Sequence, residues 1–286
     1  MQNKKIIYIA LFFLIFISIV LGLIFFSLNK EKDIKVTFLD VGQGDAILIE
    51  EGSNQILIDG GENGKIILEK LGENMPFWDR KIEVMIITHP DSDHYGGLVS
   101  VLDNYEVLNV LKTDLSKSSK VWKVFEEKIK KENSETLRSI YGLNLNFSNG
   151  ASLKTVYPFS KISKNEDSND SSVVMRLDFG ENSFLFTGDL PGSLEDDLVK
   201  AGIDLNVDFL KIAHHGSKNS TTEVFLEATS PQDAIVSVGT KNSYKHPHRE
   251  VLDKLKNRII RTWRTDEDGD IFYVCKNNKK CEAYSE

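Results

Sequence analysis

Four potential metal ligands fall within six consecutive residues of the sequence. They lie in the segment His89-Pro90-Asp91-Ser92-Asp93-His94, which follows an apolar, strand-like run and precedes Gly96-Gly97 and a helical pattern. A turn between a strand and a helix can direct neighbouring side chains to one or two points, and imidazole and carboxylate groups are ligands for zinc, manganese or iron. The segment therefore predicts a divalent metal site built from His89, Asp91, Asp93 and His94.

Acidic and imidazole side chains also follow other strand-like runs. Asp189, the pair His214-His215 and Asp59 each come directly after an apolar run. A single aspartate after a strand is most often a turn former, but Asp189 and the histidine pair occur together with the first motif. This joint occurrence favours ligands of one site, and the residues leave open which of the two histidines binds the metal.

Strand-like and helical patterns alternate after residue 33 and must position these side chains. Short runs with a period of two residues, separated by glycine-containing turns, predict strands at 34–40, 46–50 and 55–59. Further along the chain, strands are predicted at 152–157 and, from an apolar run, at 207–213. A longer amphipathic stretch at 121–131 predicts a helix. Strand pairs and helices in this mixed order predict a layered α/β domain whose sheets are covered by helices.

A basic run lies beside another pair of histidines. His246-Pro247-His248 opens a helical pattern, where proline is well accepted at an early position, and it is either a capping segment or part of the site. Residues 241–264 carry eight basic against two acidic side chains, which is typical of a substrate-binding surface or of a solvated helix face. We take Lys245, Arg249 and Ser217 as candidate substrate-binding residues.

Seven short motifs, in this order, resemble the metallo-β-lactamase-type domain of the ComEC-type competence proteins, which take up DNA. The motifs are LDVGQGDA at 39–46, LIDGG at 57–61, THPDSDHYGG at 88–97, SSVVMRL at 171–177, FTGD at 186–189, LKIAHHGS at 210–217 and HPHREVL at 246–252. The resemblance extends over residues 34–274. It implies an αββα four-layer sandwich with a metal centre at the edge of two packed sheets.

The resemblance also implies roles by position. The family's metal ligands match His89, Asp91, Asp93, His94, Asp189 and one of His214 and His215. Among these, Asp189 corresponds to a metal-bridging aspartate, and Asp59 to an early aspartate that supports the site from behind the ligands. Asp91 stands where the wider superfamily has a histidine. The expected intermediate histidine is missing, and either Asp170 or a water molecule is a candidate replacement for it.

The resemblance implies a hydrolytic, nuclease-like activity, and this set of ligands suits two divalent cations, Zn²⁺ or Mn²⁺. Two cations about 3.5–4 Å apart can activate water and stabilise both the attacking and the leaving oxygen of a phosphodiester. We expect Asp93 and Asp189 to hold the cations at the reacting centre. We expect His246 or His248 to give a hydrogen bond or a proton to the phosphoryl oxygens.

The N-terminal segment differs in composition from the rest of the chain. Residues 6–28 carry no charge, whereas every acidic residue lies after Asn29. As a helix with a rise of about 1.5 Å per residue, this segment reaches roughly 34 Å, enough to cross a bilayer core of about 30 Å. A cleaved signal peptide is the alternative, but its apolar region is typically only about 7–15 residues long. We predict a tail at 1–5, a transmembrane signal anchor at 6–28, a linker at 29–33 and one hydrolase domain at 34–286.

Two features indicate where in the cell the protein is located: the orientation of the anchor, and the pair of cysteines. Lysines on both sides of the anchor do not decide its orientation, but a short N-terminal tail usually stays in the cytoplasm. We therefore favour a single-pass protein of the cell membrane with an extracytoplasmic domain. Cys275 and Cys281 bracket a polar turn between two strand-like runs, and a disulfide between them would agree with an oxidising compartment. Two free thiols are the alternative, because sequence alone does not fix their distance.

Composition excludes several classes of protein. The 286 residues are 27% charged and 41% hydrophobic with two cysteines and a mean hydropathy of −0.25, which excludes a disordered chain, a collagen-like repeat, a disulfide-rich miniprotein and a polytopic membrane protein. The formal net charge is −8. An acidic balance opposes tight binding of a polyanion by the surface as a whole, so a DNA-binding region must be local.

Three functions stay open. The first is a membrane-anchored, extracytoplasmic phosphodiesterase or nuclease that acts on DNA in a ComEC-like role. The second is a hydrolase of the same metal class that acts on another envelope or small-molecule ester or amide. The third is a non-catalytic surface binding domain, which has no physical need to keep His89, Asp93, His94 and Asp189 together. The large channel of ComEC has no counterpart in this sequence, which makes a separate channel protein a candidate partner that the sequence alone does not establish; the oligomeric state is not predicted.

Overall fold

The structure of the protein is a computed structural model. It describes residues 2–28, 33–132, 134–163, 167–277 and 279–285, with the side chains of the first range described only in part. The chain forms two units, residues 1–32 and residues 33–286. The second unit contains every site residue predicted above.

The second unit is rich in short strands because its apolar runs are repeatedly interrupted by glycine-containing turns. In the described ranges the strands are β1 (Ile34–Phe38), β2 (Ile47–Glu51), β3 (Asn54–Ile58), β4 (Lys81–Ile86), β5 (Glu106–Lys112), β6 (Glu135–Arg138), β7 (Asn144–Asn146), β8 (Ser152–Tyr157), β9 (Val174–Phe179), β10 (Asn182–Phe186), β11 (Phe209–Lys211), β12 (Asp233–Val236), β13 (Arg261–Arg264), β14 (Ile271–Cys275) and β15 (Glu282–Ser285). The first three agree, within one or two residues, with the strands that the period of two predicts.

The strands form two sheets. The first sheet has the order β15-β14-β1-β2-β3-β4-β5-β6, and the second has the order β13-β12-β11-β10-β9-β8-β7. Neighbours run parallel from β3 to β6 in the first sheet and from β10 to β13 in the second. These parallel halves matter for function, because the carboxyl ends of parallel strands lie at one edge of a sheet, where loops can form a site.

Helices of the second unit cover the outer faces of both sheets. In the described ranges the helices of this unit are α2 (Gly64–Asn74), α3 (Ser92–Tyr95), α4 (Leu98–Asn104), α5 (Lys120–Glu132), α6 (Gly192–Lys200), α7 (Glu223–Thr229), α8 (Arg249–Asn257) and α9 (Thr265–Asp268), and α1 (Gln2–Leu28) belongs to the first unit. Residues of α2, α4 and α5 pack on the first sheet, and residues of α6, α7 and α8 pack on the second. The inner faces meet in a core that includes Phe38, Phe186 and Tyr273. The two-sheet α/β sandwich that the sequence predicts is therefore confirmed.

Successive side chains of a strand pack alternately into the core between the sheets and against the outer helices. In β2, Ile47 and Ile49 point into the core between the sheets, whereas Leu48 packs against the outer helices. This follows from the period of two in a strand, which sends successive side chains to opposite faces. Both faces are apolar because both are covered, so the strands read as nearly continuous apolar runs.

The first unit contains α1. Counting only the residues that the structure describes, no helix has the length and apolar character that a membrane span requires. The anchor predicted at 6–28 therefore gains no support from the structure. The linker predicted at 29–33 lies outside the described residues except for Asp33.

The two cysteines form a disulfide. Cys275 ends β14 and Cys281 precedes β15, and their Cα atoms are 4.1 Å apart in the bridge. The two strands are antiparallel neighbours, so the bridge closes the hairpin that the polar turn predicts. Of the two alternatives, the disulfide is confirmed.

Candidate metal centre

The predicted metal ligands lie on loops at the carboxyl ends of parallel strands. In the first sheet, the segment 88–94 follows β4; in the second, Asp189 follows β10 and His214-His215 follow β11. These loops meet at one edge of the sandwich, as the strand topology allows. The structure brings together His89, Asp91, Asp93, His94, Asp189, His214 and His215.

Asp189 lies at the centre of the cluster. Its Oδ1 atom is 3.4 Å from His94 Nε2, and its Oδ2 atom is 3.3 Å from His215 Nε2 and 4.0 Å from His89 Nε2. The Asp189 amide donates a hydrogen bond to Ser172 Oγ at 3.2 Å, which fixes the start of the loop. A carboxylate surrounded by three imidazoles has the arrangement expected of an aspartate shared by two cations.

Two groups of ligand atoms surround this carboxylate. His89, His94 and Asp189 form one group, and Asp93, His94 and His215 form the other, each with its atoms within 4.8 Å of one another. In the second group, Asp93 Oδ2 lies 3.4 Å from His215 Nε2. Such mixed sets of imidazole and carboxylate suit Zn²⁺ or Mn²⁺.

Asp91 and His214 lie at the mouth of the cluster. Asp91 Oδ2 is 3.6 Å from His89 Nε2, and the Asp91 side chain is 30% exposed. His214 Nε2 is 3.8 Å from Asp189 Oδ2, and this side chain is 27% exposed. His215, in contrast, is buried. Both histidines of the pair therefore reach the cluster, one in its interior and one at its mouth.

The buried atoms at the centre of the cluster fit divalent cations. In the described part of the chain, the Nε2 atoms of His89, His94 and His215 and the Oδ1 atom of Asp189 have no hydrogen-bond partner. Buried polar atoms without partners are costly. Cations satisfy the lone pairs of neutral imidazoles and carboxylates together, so the residues present fit the metal ions that the sequence predicts.

Asp59 orients His94 from behind. Its Oδ2 atom lies 2.8 Å from His94 Nδ1, and its carboxylate also accepts hydrogen bonds from the Thr88 amide (2.9 Å) and hydroxyl (2.6 Å). The Ser237 carbonyl lies 2.9 Å from His215 Nδ1 and acts in the same way. Because each Nδ1 atom is held outside the cluster, each Nε2 atom is directed into it, as in metal sites with an outer shell of hydrogen bonds.

Two buried charged residues beside the cluster are not among the predicted site residues. Lys211, the last residue of β11, is only 1% exposed; its ammonium group pairs with Asp45 and lies 3.8 Å from Asp189 Oδ1. Asp45 also belongs to a group of potential ligands with Asp59 and His94. Because the Lys211 ammonium binds the Asp45 carboxylate, this third group is an ion-pair network rather than a further metal site.

The aspartates and histidines of the cluster shift one another's pKa values. Burial raises the pKa of Asp189, but the charges of His215 and His94 outweigh this effect and hold the pKa well below its usual range. Burial lowers the pKa of His94, but the negative charges of Asp189 and Asp59 raise it well above its usual value. A field that draws protons onto imidazoles also attracts divalent cations, which displace those protons on binding.

Two glycines allow the loops to approach closely. A Cβ atom at Gly44, where φ is +114°, would lie 1.8 Å from the Asp93 carbonyl oxygen. A Cβ atom at Gly216, where φ is +80°, would lie 2.5 Å from Pro247 Cβ. Only glycine fits such positions without strain. The contacts explain why the motifs LDVGQGDA and LKIAHHGS contain these residues.

His246 and His248 lie next to the mouth. The His246 ring is 5.6 Å from that of His214, 6.4 Å from that of His215 and 4.9 Å from that of His248, measured between centroids. His248 Nδ1 accepts a hydrogen bond from the Lys218 amide at 3.3 Å, which leaves Nε2 as the donor of the neutral ring. Burial and the neighbouring histidines lower the pKa of His246 to about 4, so its ring is neutral at neutral pH.

The predicted substrate-binding residues lie in different settings. Lys245 is exposed and has a left-handed backbone with φ 64°. Arg249 begins α8 and pairs with Asp253 at 3.5 Å. Ser217 is 4% exposed, and its hydroxyl accepts a hydrogen bond from the Asn219 amide at 3.3 Å. Lys245 and Arg249 are thus on the surface, and Ser217 is in the interior.

The region of the missing histidine is a 3₁₀ turn at Asn169–Ser171. The carbonyl of Asp170 accepts a hydrogen bond from the Tyr157 hydroxyl at 2.8 Å. Its neighbour Asn169 approaches the cluster, with Nδ2 3.4 Å from His214 Nδ1. The turn therefore contacts the metal centre through Asn169 and His214.

A polar groove opens from the cluster at Asp91. It has a volume of about 770 Å³ and is lined by Asp91 and by residues 115–119 and 167–169. The Ser168 hydroxyl donates a hydrogen bond to Asp91 Oδ1 at 2.7 Å, and Lys117 pairs with the same carboxylate. Asp91 therefore lies between the ligand cluster and a groove in which a polar substrate can extend.

Comparisons with known proteins agree with this geometry. Residues 39–133 match the family described as the metallo-beta-lactamase superfamily. ComE operon protein 3 of Bacillus subtilis is 32% identical over 267 residues, which cover 85% of this chain and 33% of that protein. The chain therefore contains a metallo-β-lactamase-type domain. Competence protein ComA of Neisseria gonorrhoeae is 30% identical over 240 residues, 84% of this chain and 32% of that protein.

The resemblance to ComEC-type competence proteins is confirmed, and the chain spans about a third of the length of these two relatives. The metallo-beta-lactamase fold protein YhfI from Bacillus subtilis superposes with a TM-score of 0.53 and 11% identity, over 88% of this chain and 99% of that one. At this identity the likeness concerns the fold alone.

Proposed function

We propose that this protein is a metal-dependent phosphodiesterase that cleaves DNA, in a role like that of the ComEC-type competence proteins. The observation that carries the proposal is the convergence of three unpaired imidazole Nε2 atoms, from His89, His94 and His215, on the Asp189 carboxylate. The competence relatives at 30–32% identity support DNA as the substrate.

The residues of the cluster form two sets of ligands, one for each of two cations. Zn²⁺ or Mn²⁺ bound here would supply Lewis-acid activation of water and of the phosphoryl oxygens. Asp93, His94 and His215 would hold one cation, and His89, Asp91 and His214 would hold the other. Asp189 would be shared by both, and the hydrogen bond between Asp59 and His94 fixes the imidazole tautomer that ligation requires.

His246 and His248 bind the substrate next to this centre. The Nε2–H group of His248 is a hydrogen-bond donor, because its Nδ1 atom already accepts from the Lys218 amide. His246 has a pKa lowered to about 4 by burial and by the neighbouring histidines, so it is neutral at neutral pH. It therefore donates a hydrogen bond to a phosphoryl oxygen and does not act as an acid that delivers a proton.

We place this activity at the outer side of the cell membrane. The uncharged run at 6–28 supports attachment to the membrane. The disulfide between Cys275 and Cys281 supports an oxidising, extracytoplasmic compartment. A channel protein is the partner expected in a DNA-uptake role.

Cleavage of DNA by the purified full chain, loaded with Mn²⁺ or Zn²⁺, tests the proposal. We expect cleavage by the wild type, and a loss of about a thousandfold or more in kcat on Asp189→Ala, because the shared ligand is removed. Asp197→Ala is the matched control, since Asp197 is exposed on α6 and pairs only with Lys200 among the described ion pairs. Metal-replete protein that leaves DNA intact but cleaves a phosphomonoester, a choline ester or a lactam would contradict the nuclease assignment.

A further inference from the structure

Tyr244 is an exposed aromatic residue on the loop that follows β12 and leads to α8. Its side chain is 63% exposed, and within the described residues no hydrogen bond involves its hydroxyl. The ring is stacked on that of His246, with centroids 5.6 Å apart and an angle of 21° between the planes. One face of Tyr244 is thus partly covered by an imidazole, and most of the side chain faces solvent.

The stacked rings of Tyr244 and His246 lie next to the candidate metal centre. The His246 ring lies 5.6 Å from the His214 ring, and His214 Nε2 lies 3.8 Å from Asp189 Oδ2. Two ring-to-ring steps therefore connect Tyr244 to a residue at the mouth of the cluster. A group stacked on Tyr244 would be a close neighbour of a phosphodiester held at the cluster.

The loop that presents Tyr244 is held in place by its own hydrogen bonds. The Asn242 amide group donates to the carbonyls of Gly239 (2.9 Å) and His246 (2.7 Å), and its Oδ1 atom accepts from the His246 amide at 2.8 Å. These bonds fix the backbone on both sides of Tyr244. The ring is therefore preorganised, which lowers the entropy cost of stacking on it.

The charges around this ring are free for a phosphate backbone. The described ion pairs of residues 241–264 involve Arg249, Arg258, Arg261 and Arg264, and none involves Lys241 or Lys245. Both lysines are exposed and lie within three residues of Tyr244. An aromatic ring flanked by lysines is the arrangement by which proteins bind single-stranded nucleic acids, with bases on the ring and phosphates on the cations.

We infer that Tyr244 is a stacking platform for a nucleobase and that it makes the site selective for single-stranded DNA. The inference rests on the proposed function and names the form of its substrate. In a duplex both faces of each base are covered by its neighbours, whereas an unpaired base in a flexible strand can leave the stack. The base beside the phosphodiester at the metal centre stacks on Tyr244, and Lys241 and Lys245 bind the adjoining phosphates.

Fluorescence anisotropy tests this inference by measuring how tightly the full chain binds a fluorescent single-stranded DNA 12-mer. The measurement is made in EDTA, which removes the metal ions and so prevents cleavage of the strand. The comparison oligonucleotide has the same backbone with abasic sites throughout. We expect Tyr244→Ala to weaken binding of the normal strand roughly 5- to 100-fold, the range for loss of one base stack, and to leave binding of the abasic strand unchanged. Tyr244→Phe should bind like the wild type, because the ring is kept.

Tyr284→Ala is the matched control, since Tyr284 is an exposed tyrosine stacked on Phe272 in the edge strand β15. We expect it to have no effect on either strand. Unchanged binding in Tyr244→Ala, or an equal loss for the normal and the abasic strand, would overturn the inference. Failure of the metal-loaded wild type to cut any DNA would contradict the proposed function instead, and the binding comparison would still decide the role of Tyr244.

Discussion

Lys211 places a buried ammonium group next to the aspartates of the metal centre. Its partner Asp45 is 1% exposed, and although burial raises the pKa of Asp45, the charge of Lys211 lowers it below its usual value. Breaking a buried ion pair by removing one partner is strongly destabilising, because the other charge is left without compensation. The pair therefore contributes to the geometry of the site through stability rather than through ligation.

We predict that Lys211→Met lowers the free energy of unfolding of the metal-free protein by about 3–5 kcal/mol, because the buried Asp45 carboxylate loses its ammonium partner. The double variant Asp45→Asn/Lys211→Met should recover a large part of this loss. Urea unfolding of the two single variants and the double variant measures the coupling. Lys200→Met, which removes an exposed lysine paired with Asp197, is the control. Additive losses in the double variant would refute the coupling.

The sequence predicts the ligands more completely than the residues that hold them. His89, Asp93 and His94 stand out because their types and spacing have no other common use. Lys211 lies inside an otherwise apolar run and reads as part of a buried strand, and Asp45 reads as a turn residue that follows Gly42 and Gly44. Their roles depend on a contact between two sheets, which no local pattern encodes. The only sequence signal for Lys211 is a charge in the middle of an apolar strand.

At the scale of elements, Glu195 connects α6 by hydrogen bonds to the chain segment that follows His214-His215. Its carboxylate accepts hydrogen bonds from the amides of Thr221 and Thr222, both at 2.8 Å. Thr222 in turn caps α7, where its side chain accepts from the Phe225 amide at 3.2 Å. A buried carboxylate thus fixes the relative position of α6, α7 and the loop that leaves the metal centre.

We predict a pH-dependent contribution to stability from Glu195. Burial raises its pKa to about 7 from the ordinary value of 4.5, although hydrogen bonds from Thr222 and Thr221 act in the opposite direction. The folded state therefore binds this proton more tightly than the unfolded state, so the stability gained at low pH is lost as the pH rises from about 4.5 to 7. The loss amounts to at most about 3 kcal/mol.

Unfolding free energies of the wild type and of Glu195→Gln between pH 4.5 and 8 measure this effect. We expect the stability of the wild type, relative to the variant, to fall over this range. Glu227→Gln, on the exposed face of α7, is the control and should give a curve parallel to that of the wild type. Parallel curves for wild type and Glu195→Gln would show that Glu195 keeps the same pKa in the folded and unfolded states.

Elements with a clear apolar period are predicted well, and exposed edge elements are not. The strand at Ser152–Tyr157 has the predicted bounds. The edge strands β6 and β7 are missed, because Glu135–Arg138 and Asn144–Asn146 are polar and mostly exposed. The strand expected at 207–213 is shorter than its apolar run and ends at Lys211, since His214 and His215 adopt left-handed backbone conformations.

At the scale of the whole molecule, net charge is a poor guide to the substrate. The chain carries a formal charge of −8, but the acidic residues include the carboxylates of the metal centre. Much of the basic run at 241–264 is neutralised within the fold, as in the pairs of Arg258 with Glu223 and of Arg264 with Asp266. What matters for a polyanion is the short loop around Tyr244, where the lysines have no acidic partner among the described ion pairs.

The metal content of the full chain tests the central claim most directly. After loading with Mn²⁺ or Zn²⁺ and removal of free ions, elemental analysis should find up to two bound ions per chain in the wild type and in Asp197→Ala. Asp189→Ala should lose most of this metal, because the removed carboxylate is shared by both positions, while circular dichroism should show a retained fold. Wild-type protein that stays metal-free after loading with both ions would contradict the assignment of a metal centre.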